Sequence, residues 1–178
     1  MFVLKGFEGS SINDIAIQAH INKSLIYHHF GNKEKLWRAV KAHLLQTHLG
    51  KGLSEISYPS NSLKDFLTHI LTLRFRFYDQ NPSIARLISW QQLENEQEKL
   101  QGLGQEKLDT LTSYIIEFQH RGEVRPELNP QMVSYFIMTT ASMPFIDKPE
   151  FFYGQGVRDN KKKYLEMVIE SLYKALTF

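Results

Sequence analysis

Apolar residues recur at helical spacing along nearly the whole chain of 178 residues, and no run of four to eight residues alternates apolar and polar between turn signals as a strand would. That pattern confines the chain to an all-α fold. Breaks fall at Gly9, Gly31, Gly50 to Gly52, Tyr58-Pro59-Ser60-Asn61, Asn81-Pro82, Gly102 to Gly104, Gly122, Asn129-Pro130 and Pro144 to Gly156. Asn81-Pro82 and Asn129-Pro130 each set a good N-cap before a proline at the first helical position, where its missing N–H costs nothing. After Asn129 the spacing predicts a helix with Val133, Phe136, Ile137, Thr140 and Ala141 on one stripe, widened by Tyr135 and Met138 and ended by Pro144. Another, from about Asp159, carries Leu165, Val168, Ile169, Leu172 and Leu176 on one face. Residues 62 to 79 are apolar on too many sides for one stripe, which predicts a central helix. Residues 83 to 100, acidic after Trp90, and 103 to 121, with Leu108, Leu111, Ile115 and Phe118, read as amphipathic helices.

The formal net charge of +2 divides unevenly. Residues 1 to 50 hold six Lys/Arg against three Asp/Glu, and residues 51 to 178 hold fifteen against sixteen. A small front module meeting a polyanion and a larger one that does not would divide this way. The chain has no cysteine, which removes disulfides, thiolate nucleophiles and Cys-bearing zinc sites together. No run approaches the ~20 apolar residues of a membrane span. The start MFVLKGFEG is too short and too quickly polar for a secretory signal, so a cytoplasmic protein is expected.

Residues 10 to 30, SSINDIAIQAHINKSLIYHHF, carry the most specific pattern. Ser10 or Ser11 can cap a helix in which Ile12, Ile15, Ala16 and Ala19 share one narrow apolar face. The pattern breaks after His20. Asn22 can cap a second short helix with Ile26, Phe30 and Ile21 turned inward, leaving Lys23, Ser24, Leu25, Tyr27 and His28 to the outside. Two short helices joined by three or four residues form a helix-turn-helix.

The longer segment GFEGSSINDIAIQAHINKSLIYHHFGNKEKLWRAV resembles the DNA-binding signature of the TetR family of transcriptional regulators. The matching positions are Gly6-Phe7, Asp14-Ile15-Ala16, Ile21, Lys23, Tyr27, Phe30, Gly31, Lys33-Glu34 and Leu36. The resemblance implies that the second helix enters the major groove, with Lys23, Ser24 and Leu25 at base edges and Tyr27 and His28 toward the backbone. Ser10, Ser11 and Asn22, at the helix starts, join the expected DNA-contacting set. Leu25 departs from the small or hydroxylated residue common in the family and would favour a thymine methyl. Asn32 is expected to cap the next helix, running from Lys33 to about His48. Lys33 then sits in a first turn where the helix dipole disfavours a cation by roughly 0.3–1 kcal/mol, a penalty that a phosphate would reverse. His20 stands where the family usually has glycine, which calls for a left-handed backbone or an altered turn. Met1 to Gly6 match only the last turn or so of the family's first helix, so that helix is expected to be mostly missing.

The resemblance further implies a DNA-binding domain over 1–49 and a helical ligand-binding and dimerisation domain over 50–178. Phe75, Tyr78, Trp90, Tyr114, His120, Met138 and Met143 are the candidates for an effector pocket. Phe145 belongs with the apolar ones among these, which either line a cavity or form core. The stretch Phe145 to Tyr153 lies between the two late helices and would cover an entrance or reach across a dimer. A homodimer through helices at about 130–143 and 160–177 is expected, binding double-stranded DNA at an inverted repeat. Release by a small-molecule effector and a repressor's sign of control follow the family. No cofactor, metal, membrane association or enzymatic activity is expected.

Two other classes of function share features with this sequence. A truncated regulator that senses ligand or dimerises without gripping DNA is the main alternative. A di-iron helical bundle is the remote one: Glu117 and His120 have the Glu-x-x-His spacing, but such a site needs two copies and two more inward glutamates. His28, His29, His43 and His48 read as a phosphate-facing or surface set.

Overall fold

The computed structural model describes residues 1–49, 58–59, 61–93, 105–147, 152 and 158–178, and every regular element among them is helical. The breaks expected at Gly50 to Gly52 and Gly102 to Gly104, the acidic residues 94–100, and most of the stretch after Asp147 lie outside the described residues. Two compact units result: Met1–Ile56 with Asn81–Gln97, and Ser57–Gln80 with Glu98–Phe178.

In the first unit α1 (Phe2–Lys5), α2 (Ile12–Ala19), α3 (Lys23–Phe30), α4 (Lys33–Leu49) and α6 (Pro82–Leu93) enclose Phe2, Ile12, Ala16, Ile26, Leu36, Trp37 and Leu87. Trp37 is fully buried, its ring 4.9 Å from Phe2 and 6.3 Å from Phe7. Two aromatics closing on an indole bury enough apolar area to organise a small module. Gly9 permits a close turn between α1 and α2, since a Cβ there would stand 2.3 Å from the Lys5 carbonyl oxygen. Ile21 departs from its expected inward position at 42% exposed. It precedes the α3 cap, so the helical phase that turns Ile26 inward does not extend to it.

Segment Asn81–Gln97 groups with the N-terminal unit, although the sequence reading set it with residues 50–178. The physical reason is in α6: Leu87 joins the Trp37 core, and the Trp90 indole N–H donates to the Val3 carbonyl at 3.2 Å.

In the second unit α5 (Leu63–Gln80) packs on α8 (Pro130–Asp147) and α9 (Arg158–Leu176), and α7 (Gln105–His120) packs on α8. Helix α5 buries Leu63, Phe66, Leu67, Ile70, Leu71, Phe75 and Tyr78, and is central to its unit as expected. Ser62 Oγ accepts from the Asp65 N–H at 3.1 Å and donates to the Asp65 carboxylate at 2.8 Å, fixing its start. Asn129 Oδ1 caps α8 by accepting from the Met132 N–H at 3.1 Å.

Two expectations for α8 are corrected. Pro144 does not end it; the helix continues to Asp147. A proline removes the N–H that would reach the carbonyl four residues back, here Thr140. The Tyr164 hydroxyl of α9 donates to that carbonyl instead, at 3.1 Å. The stripe is also different: Val133, Ile137 and Ala141 are buried, with Ser134, Ser142 and Phe145, while Phe136 and Tyr135 face outward. The helix is apolar on two faces, and among the described residues its neighbours α5, α7 and α9 cover only one.

Candidate functional site

The caps fix where side chains point at the front of the molecule. Ser11, extended at φ −104° and ψ 149°, accepts the Asp14 N–H on its Oγ at 3.0 Å and starts α2. His20 ends α2 in the left-handed region, φ 55° and ψ 39°, as one of the two expected alternatives. Asn22 Oδ1 accepts from the Ser24 N–H at 3.0 Å and starts α3. With Ile26 buried, the 100° step of the helix leaves Lys23, Ser24, Leu25, Tyr27 and His28 exposed. Gly31 turns the chain at φ 77°. Asn32 Oδ1 then accepts from the Lys35 N–H at 2.8 Å, and α4 begins at Lys33.

Lys33 is half-buried, and its Nζ lies 4.2 Å from the Phe7 ring centroid. That aromatic face holds a cation in a turn where the helix dipole disfavours it. An open concavity of about 490 Å³ brings together Ser10, Ser11, Lys23, Tyr27 and Lys33 with Glu8, Gly9, Ile12, Asn13 and Asp14. Two ammonium groups, a phenol and a serine hydroxyl at a helix start can hold an oxyanion there.

The remaining expected contacts, Asn22, Ser24, Leu25 and His28, lie on the exposed face of α3 outside this concavity. Ser10 is a correction. Its side chain is only 2% exposed and donates to the Gly6 carbonyl at 2.7 Å, so it braces the turn rather than facing outward. Glu8 and Asp14, which also line the concavity, are not among the expected site residues; the Ser-x-x-Asp spacing of Ser11 and Asp14 was the available signal.

The effector candidates do not converge. Phe75 and Tyr78 pack with Phe145, Phe152 and Tyr164 into an aromatic cluster in which Phe75 and Phe145 are 4.7 Å apart and Phe145 and Phe152 are 5.0 Å apart. Tyr114 lies elsewhere in the same unit, 5.2 Å from Phe66 and 5.5 Å from Tyr58. Met138 is half-buried against the main core, Met143 faces outward on α8, and His120 is exposed at the end of α7. Trp90 is in the other unit. Among the described residues, no three His, Asp or Glu converge as metal ligands, and Glu117 lies 3.8 Å from Arg121.

A profile described as bacterial regulatory proteins, tetR family, matches residues 1–40, and one described as tetracyclin repressor-like, C-terminal domain, matches residues 72–171, more than half of the chain. The chain belongs to the TetR family. A curated relative, the HTH-type transcriptional repressor NicS of Pseudomonas putida, is 24% identical over 136 residues, covering 72% of this chain and 62% of NicS. The match thus spans less than two thirds of that relative. Among solved structures, a TetR-family regulatory protein of Rhodococcus RHA1 aligns with a TM-score of 0.74 at 17% identity, over 96% of this chain and 90% of its own. AibR, solved with isovaleryl coenzyme A and operator DNA, aligns at 0.67 and 20% identity, over 97% and 91%. These likenesses establish the TetR fold for both units taken in sequence.

Proposed function

We propose that this TetR-family chain is a ligand-responsive transcriptional repressor that binds an inverted-repeat operator as a homodimer and is released by a small-molecule effector. The observation that carries the reading is the meeting of Ser11, Lys23, Tyr27 and Lys33 around one concavity, beside the exposed start of α3. A DNA phosphate fits there, with Lys33 as counter-ion and Tyr27 and Ser11 as hydroxyl donors. Lys23, Ser24 and Leu25 then meet base edges in the major groove, Lys23 as a donor to guanine and Leu25 against a thymine methyl. Asn22 and His28 flank them toward the backbone. The N-terminal unit, with α6, is the DNA-binding domain in this reading. The second unit carries ligand binding and dimerisation through α8 and α9. NicS bears the name of a repressor, and AibR was solved with both isovaleryl coenzyme A and operator DNA, which supports the reading. Among the described residues, no helix is long and apolar enough to cross a membrane. The proposed place of action is the cytoplasm.

The test is retardation of an inverted-repeat duplex enriched from a random-sequence pool. Lys33→Ala and Tyr27→Phe should each weaken binding about tenfold across sequences, and Lys33→Ala should reduce the salt slope by about 1. Leu25→Asn should change base preference at one position of each half-site. Unaltered affinity and preference in all three variants would remove α3 and the concavity from the interface.

A further inference from the structure

The core of the N-terminal unit builds an aromatic platform under Lys33. The Phe7 ring lies nearly parallel to that of Phe2, with centroids 6.5 Å apart and planes 14° from each other, and 6.3 Å from Trp37, which is fully buried. Ser10 closes the turn that carries Phe7 through two hydrogen bonds: its N–H donates to the Phe7 carbonyl at 3.2 Å, and its hydroxyl donates to the Gly6 carbonyl at 2.7 Å. A ring packed against two neighbours on a pinned turn keeps its place. The Lys33 Nζ lies 4.2 Å from the centroid of that ring, within the range over which its negative face attracts an ammonium.

Lys33 lines the concavity beside Ser11 and Tyr27, and Phe7 does not. The ring therefore backs the cation without competing for the site. It offers no lone pair, so the N–H donors of the ammonium remain available to an oxyanion. A lysine free in solvent has many rotamers, and ordering it on a phosphate costs conformational entropy at the moment of binding. A lysine already resting on a fixed ring has been ordered by the fold, which is preorganisation for the anion.

We propose that Phe7 is a positioning residue for DNA binding: its ring holds the Lys33 ammonium at the concavity in the DNA-free chain, so that a phosphate meets a cation already in place. The inference rests on the phosphate-binding reading given above, and Phe7 acts only through Lys33.

A double-mutant cycle on retardation of the enriched duplex tests this, with the full chain carrying Phe7→Leu, Lys33→Ala or both. Phe7→Leu keeps an apolar side chain against Phe2 and Trp37 but removes the ring face, and should weaken binding about three- to fivefold. In the Lys33→Ala background the same change should have no further effect, because no ammonium is left to position. Phe7→Tyr, which keeps the ring, should bind as the original chain does. Phe7→Met, run through the same cycle, takes the place of Phe7→Leu should the latter lose its cooperative melting transition. In NMR spectra of the DNA-free chain, the ring current should shift the Lys33 ε-methylene protons upfield in the original and in Phe7→Tyr, and the shift should vanish in Phe7→Leu. A loss of affinity that persists undiminished in the Lys33→Ala background would show that Phe7 acts by packing its unit, and would overturn the proposal. Unchanged affinity on removal of the ring, or Lys33 protons without a ring-current shift in the original chain, would overturn it as well. The single variants separate this from the wider reading. If Lys33→Ala binds as the original chain does, the phosphate reading of the concavity falls and the role of Phe7 falls with it. If Lys33→Ala weakens binding and Phe7→Leu does not, the phosphate reading stands and Phe7 is not its support.

Discussion

His20 is the one non-glycine residue with positive φ among the described residues. An L-residue in the left-handed region costs roughly 1–2 kcal/mol, so something must hold it there. The holding contacts are backbone: the His20 N–H reaches the Ala16 and Ile17 carbonyls, and the Ile21 N–H reaches Ala16 at 3.0 Å. These close the end of α2 and aim α3. His20→Gly removes the Cβ penalty but frees the unfolded chain by about 0.4–1 kcal/mol, so a net gain of up to about 1 kcal/mol is expected in urea unfolding. His20→Val should lose about 1–2 kcal/mol, since a β-branched side chain tolerates this region worst. A loss with glycine would show that the imidazole contributes a contact larger than the strain. The turn itself was legible, because the apolar pattern breaks at His20. The inward role of Ser10 was not, because it depends on the Gly6 carbonyl and on the close approach that Gly9 allows.

Element starts were legible for the same local reason: Ser11, Asn22, Asn32 and Asn129 accept backbone N–H groups two or three residues ahead, so cap and helix share one stretch of sequence. The course of α8 through Pro144 was hidden because its remedy lies in α9. The Tyr164 hydroxyl, donating to the Thr140 carbonyl across 24 positions, supplies the hydrogen bond that Pro144 cannot. Tyr164→Phe should therefore cost about 1–2 kcal/mol, and much less in a Pro144→Ala background, where the backbone N–H at 144 is restored. The four melting or urea curves form a cycle, and additive losses would mean that the hydroxyl and the proline act independently. Burial raises the Tyr164 phenol above its ordinary pKa of 10.0. Its contribution is complete below that value and is lost as pH climbs through the raised folded one. The place of α6 was hidden for a like reason, since Leu87 and Trp90 find their partners near Trp37 and Val3, far back in the chain.

At the scale of the whole molecule, the outer face of α8 presents a row of exposed apolar side chains. Met132, Tyr135 and Phe136 are 72%, 64% and 53% exposed, and Met143 continues the row at the same helical phase. On α9 Met167 is 56% exposed. A row of four large apolar side chains, three and four residues apart and then a further two turns on, is a seam rather than scattered surface. The proposed homodimer buries that seam against a second copy about a two-fold axis, so each substitution counts twice. Phe136→Glu and Tyr135→Asp should each convert a dimer to a monomer in sedimentation equilibrium at micromolar concentration, with helical content retained. Ile116→Glu on α7, a singly exposed apolar residue, should leave the dimer unchanged. Half-sites held by separate monomers lose the effective concentration that linkage supplies, so operator affinity in the α8 variants should fall by about 10²-fold or more while each recognition helix stays intact. A chain that remains dimeric with Phe136→Glu would place its partner on another surface. A chain that becomes monomeric yet binds the full inverted repeat unchanged would uncouple operator recognition from α8.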